Sequence, residues 1–153
     1  MPDEALLAPV PADLLEDALA NGLTRVAFGS MAWEFFRGVK EDFGEGPLDV
    51  LLYASHAVEF ALEVQWAGTY IGWLDAADAE RDPRFEAELR SPLARFDWTG
   101  NNEGGAWAVY WLVDDLRRLD QPIPMRNVRL PNGKGLSPAF IPHGPLRIRA
   151  ENW

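Results

Sequence analysis

Between Leu48 and Asp75 the chain reads LDVLLYASHAVEFALEVQWAGTYIGWLD, its longest weakly charged stretch. A run this apolar must be buried, so it forms the centre of whatever the chain folds into. Two periodicities compete within it. Val58, Phe60, Leu62, Val64 and Trp66 alternate with Glu59, Ala61, Glu63 and Gln65, the period of a half-buried strand. At ~100° per residue, however, Asp49, His56, Glu59 and Glu63 fall within roughly 80° of one another on a helix, and the remaining arc is apolar. Leu, Ala and Glu dominate and β-branched residues are few, which favours helix. Ala67-Gly68 then breaks it, and a shorter helical segment follows with Tyr70, Trp73, Leu74 and Ala77 on one side. The alternative is an α+β fold in which Ala67-Gly68 turns a hairpin spanning 58–74.

Elsewhere the punctuation suggests further helices. Pro2, Pro9 and Pro11 keep a helix from starting early, so residues 1–10 read as a loose arm. A helix follows from Pro11, with Leu14, Leu15, Ala18 and Leu19 on one face and Asn21-Gly22 as its stop. A second is expected over Thr24–Asp42, its stripe formed by Val26, Phe28, Met31, Phe35 and Val39 and widened by Trp33 and Phe36. Gly44-Glu45-Gly46-Pro47 ends it. Pro83–Leu89 reads as a short helix, and Gly100–Gly105 as a flexible connection. Ala106–Asp120 is a further helix, on which Trp107, Tyr110 and Trp111 are spaced i, i+3, i+4 and Asp114 precedes Arg118 by four. From Pro122 the chain is proline-rich. Asn132-Gly133 signals a hairpin turn, and Leu146-Arg-Ile-Arg alternates like an edge strand. The expected fold is thus mainly α: a single-domain bundle of four to five helices, with an acidic helical body over 11–120. A basic, proline-rich tail over 121–153 would form a short β-hairpin packed on that body.

Charge sharpens this division. Of the net −10, residues from Gln121 onward carry five basic side chains against Glu151, a net +4, which leaves −14 on residues 1–120. An acidic body argues against direct contact with a nucleic-acid backbone, which demands clustered cations. It suits a basic protein partner, which it would steer electrostatically. No run of 18 or more apolar residues points to a membrane span, and the acidic N-terminus lacks the basic region of a secretory signal, so a cytoplasmic setting is expected. The absence of cysteine removes disulfides, thiolate metal sites and cysteine nucleophiles.

Two constellations bear on function. On a helix, His56, Glu59 and Glu63 would put an imidazole and two carboxylates on one face, donors suited to a divalent metal ion, with Asp114 from a facing helix as a further ligand. The order here is His-x-x-Glu and occurs once, unlike the paired Glu-x-x-His of di-iron bundles. His56 joins the two glutamates only on a helix, because in a strand its odd offset sends it to the opposite face. The second constellation is the aromatic load of seven tryptophans and eight phenylalanines, most of which a core would absorb. Trp98 in the glycine-rich loop and Trp153 at the end are the least needed there. With Asp75, Asp78 and Glu103 they make the candidate partner-binding set. The expected function is therefore an acidic interaction module, such as an immunity or inhibitor protein, acting without a cofactor. The alternative is a small metal-dependent enzyme with a carboxylate-rich site between helices. Oligomeric state is not legible at this stage.

Overall fold

A computed structural model describes residues 3–44, 46–55, 63–79, 81–83, 107–136, 144–151 and 153. The described residues form six strands in one mixed sheet and three α-helices, not a helical bundle. In chain order these are β1 (Glu4–Pro11), α1 (Ala12–Ala20), β2 (Val26–Ser30), α2 (Trp33–Phe43), β3 (Leu48–Ser55), β4 (Glu63–Asp75), α3 (Ala76–Ala79), β5 (Val109–Pro124) and β6 (Leu146–Arg149). The sheet order is β2-β5-β4-β3-β1-β6. β1 and β3 run parallel, and every other neighbouring pair is antiparallel.

The described parts of the central stretch, Leu48–Ser55 and Glu63–Asp75, lie at the centre, but as strands. β3 and β4 pair antiparallel from Leu48↔Tyr70 to Leu52↔Trp66. Ala67 and Gly68 lie inside β4, so they neither break a helix nor turn a hairpin over 58–74. Gly68 is required by packing: a Cβ there would run into Val113 Cγ1 and come within 3.0 Å of the Asp114 carbonyl oxygen on β5.

The helical appearance has a physical cause. Both faces of the inner strands are covered, so they carry continuous apolar runs rather than alternation. On one face Leu6, Ala8, Val10, Leu48, Val50, Leu52, Trp66 and Tyr70 pack with Leu14, Leu15 and Ala18 of α1 and Phe36 and Val39 of α2. On the other, Ala5, Leu7, Leu51, Tyr53, Val64 and Ala67 are covered by Met125, Val128, Leu136 and Ile148 from the C-terminal part of the chain. Burial pushes the Tyr53 hydroxyl well above its ordinary pKa.

The expected loose arm is instead β1, with Ala5, Leu6, Leu7 and Ala8 all buried. Its prolines remain compatible with a strand because β6 pairs only with Glu4–Leu7, which leaves Pro9 on an open edge. α1 matches the expected helix. It ends on Gly22 at φ 70°, where Leu23 N–H donates to the Ala18 carbonyl and Gly22 N–H to that of Leu19, a Schellman closure. The expected second helix divides into β2 and α2. The expected helix over 106–120 is mostly β5, where Tyr110 and Trp111 face opposite sides of the sheet. The Asp114–Arg118 pair does not form; Asp114 lies 3.6 Å from Arg25, and Arg118 lies over the Trp66 ring at 5.3 Å.

The C-terminal part contains a turn and a strand. Leu130 N–H donates to the Lys134 carbonyl and Gly133, at φ 85°, completes a tight turn beside the Arg129↔Gly135 bridge. β6 then adds to β1. Residues 83–89 and 100–105 fall wholly or mostly outside the described residues. No described helix is long and apolar enough to cross a membrane.

Candidate functional site

One concavity among the described residues is built from apolar residues brought together by the curl of the sheet. A cavity of ≈ 150 Å³ is lined by Ala8–Val10 of β1, Phe28–Ser30 of β2 and Phe36 of α2, together with Trp107 and Trp111. Three strands separate β1 from β2 in the sheet, so their meeting here means that the sheet curls strongly toward itself. Gly144 and Pro145, just before β6, close one side, and Met31 and Ala32 form the approach to α2.

Each aromatic wall has a local reason for its position. Phe28 on β2 sits directly across from Trp111 on β5, and their ring centroids are 5.2 Å apart at 51°. Phe36 lies on the inward face of α2, 5.4 Å from Trp111 and 6.2 Å from Tyr70. Trp107, just before β5, lies flat against Gly29. A Cβ on Gly29 would stand under 3.0 Å from Cγ, Cδ1 and Nε1 of that indole. Gly29 is thus the residue that admits Trp107, and its backbone needs no special angle to do so.

The lining is almost without polarity. No described lining residue is ionisable. Ser30 supplies the one side-chain hydroxyl: its Oγ accepts the Ala32 N–H at 3.0 Å, and its own proton has no acceptor among the described residues. α2 begins at Trp33 without a side-chain cap. Its dipole would favour an anion by about 0.3–1 kcal/mol. That is small beside the several kcal/mol needed to strip water from an unpaired carboxylate, so the cavity is built for uncharged matter.

Of the residues expected to bind metal, the two that are described, Glu63 and Asp114, are not brought together. Glu63 opens β4 opposite Pro124, accepting a hydrogen bond from Gln65 Nε2 at 3.0 Å. Asp114 pairs in register with Thr69, six residues further along β4, which at ~3.3 Å per residue is roughly 20 Å away. His56 and Glu59 lie outside the described residues, and no group of three acids or histidines among those described could hold a metal ion.

Of the expected partner-binding residues, Trp98 and Glu103 lie outside the described residues, while Asp75 and Asp78 are exposed at the end of β4 and in α3. Trp153 does not project. It is half-buried against the second apolar cluster and lines a small crevice with Asp49, Gly68 and Arg117. The large apolar side chains that stand out among the described residues are Leu23, Met31 and Trp33, at 43%, 55% and 44% exposure. The cavity residues escaped the sequence reading because aromatics at close spacing look like ordinary core. The signal present was Gly29 itself, an isolated glycine in Val-Ala-Phe-Gly-Ser, which marks a close approach once that segment is read as a strand. The chain matches no protein-family model, and no curated protein matches it.

Proposed function

We propose that this protein is a binding domain whose ligand is a small molecule held in the cavity between β1, β2 and α2. The observation that carries this reading is the cavity's lining: among the described residues, four aromatic side chains and no ionisable group around ≈ 150 Å³ of space. Ligand pockets are predominantly apolar with a few placed polar groups, and this one has Ser30. A dry cavity of about this volume, lined by Leu, Ile and Phe, admits benzene in an engineered protein, so the space here suits a ligand of one or two rings. A thermal-shift screen of a chemically broad fragment set tests the reading. Ligands that raise the melting temperature should lose that effect in Gly29→Ala, where the new Cβ displaces Trp107 from the wall. If no fragment at millimolar concentration shifts the melt, the reading fails.

A second reading keeps the acidic interaction module, in a cytoplasmic setting with a basic protein partner. The outward face of α1 favours it, since Asp13, Glu16 and Asp17 are all exposed and the helix carries no basic residue. Its test is salt-sensitive capture of a basic protein, weakened by neutralising those three acids together. Equal capture by the wild type and the triple variant would remove this face from consideration.

A further inference from the structure

We infer that the cavity selects a neutral, planar heteroaromatic molecule that presents a hydrogen-bond acceptor to the Ser30 hydroxyl; this rests on the reading of the cavity as a ligand site. Three observations fix the class. The walls are flat: Phe28, Phe36, Trp107 and Trp111 present ring faces or edges, and Phe28 and Phe36 brace Trp111 at 5.2 and 5.4 Å. Rings braced in this way offer quadrupolar surfaces that reward an aromatic guest through offset or edge-on contact, beyond what a saturated guest of equal volume gains. Among the described residues the lining offers no counter-ion, so a charged guest would lose its hydration without a partner. Ser30 Oγ accepts from Ala32 N–H, and its proton, which has no acceptor among the described residues, can be donated to a guest. A guest with a ring nitrogen or carbonyl therefore satisfies the polar group of the wall, and a guest without one leaves it unpaired.

Gly144 and Pro145, the two residues just before β6, also line the cavity, and β6 is paired with β1, so this part of the lining is held by the sheet itself. Met31, more than half exposed, lines the cavity as well. A flexible thioether over an aromatic guest makes a favourable contact that adapts to ring size.

The test is isothermal calorimetry of the intact chain at pH 8 with quinoline, naphthalene, quinoline-4-carboxylate and cyclohexanol, repeated with Ser30→Ala. Quinoline should bind saturably and at least tenfold more tightly than the carboxylate or cyclohexanol. Ser30→Ala should weaken quinoline several-fold while leaving naphthalene unchanged. The probe series is read on the wild-type protein, so it stands even if the variant folds poorly. Equal affinity for quinoline and its carboxylate, or for quinoline and cyclohexanol, would overturn the inference while leaving the cavity as a site. An unchanged quinoline affinity in a folded Ser30→Ala would overturn the role of the hydroxyl. Failure of all four probes, together with a fragment screen that shifts no melt, would overturn both the inference and the reading beneath it.

Discussion

Arg147 ties the end of the chain to its beginning. Its Nε and Nη2 donate to the two carboxylate oxygens of Glu4 at 2.8 and 2.9 Å, its Nη1 donates to Asp42, and its guanidinium lies 5.0 Å from the Phe43 ring centroid. The hydrogen bonds to Glu4 raise its already high pKa, so it remains charged throughout the working range of the protein. A planar fork on a carboxylate is the strong form of ion pair, and the Arg147 and Glu4 side chains are only 29% and 23% exposed. Arg147→Ala should therefore cost about 1–2 kcal/mol in urea denaturation. Asp42 is 54% exposed, so Asp42→Asn should cost less than about 0.5 kcal/mol. Equal costs for the two variants would mean that the Glu4 fork is not the dominant contact. The pair joins residues 143 apart in sequence. No spacing rule could name these partners from the sequence.

Along β4 and β5 the decisive features are places where regular pairing fails. Their register shifts between Val64 and Trp66, between Ala67 and Thr69, and between Tyr70 and Trp73. Asp115, exposed on β5, adopts φ 52°, a left-handed value that aspartate tolerates better than most residues. Gly68 lies within the second of these shifts, where β5 approaches closely enough to require glycine. Gly68→Ala should lower stability by about 1–3 kcal/mol, because backbone and Val113 must move to admit a methyl group. Gly38, inside α2, is the opposite case: nothing lies within 4 Å of a Cβ built there. Gly38→Ala should stabilise by about 0.5–1 kcal/mol through helix propensity and a less free unfolded chain. Differential scanning calorimetry of the two variants should move their melting temperatures in opposite directions. A shift of both in the same direction would show that local space is not what distinguishes these positions.

For the molecule as a whole, the C-terminal part covers one face of the inner strands. Ile148 is fully buried and packs in the cluster with Ala5, Leu7, Leu51 and Tyr53, while β6 occupies the hydrogen-bonding edge of β1. Removing residues 144–153 deletes that strand, the Arg147 fork and one rim of the cavity together. Loss of a buried isoleucine side chain alone is worth about 2–5 kcal/mol. The truncated chain should therefore melt at least roughly 10 °C lower, given about 2–4 °C per kcal/mol at this size. It should also bind a hydrophobic dye that the full chain excludes. An unshifted melt without dye binding would show that the tail only rests on a fold complete without it.

The amino-acid sequence determined which segments are apolar enough to be buried, where α1 stops, and where the Asn132-Gly133 turn lies. Hydropathy, glycine stops and charge are local properties, so they can be read locally. Tertiary structure decided whether Leu48–Ser55 and Glu63–Asp75 were helix or strand. Alternation survives only where one face of a strand meets water, and here the helices cover one face and the C-terminal part the other. It also decided the site. Phe28, Phe36, Trp107 and Trp111 converge on one cavity because the sheet curls until β1 and β2 meet, a property of strand order and twist that no local spacing encodes.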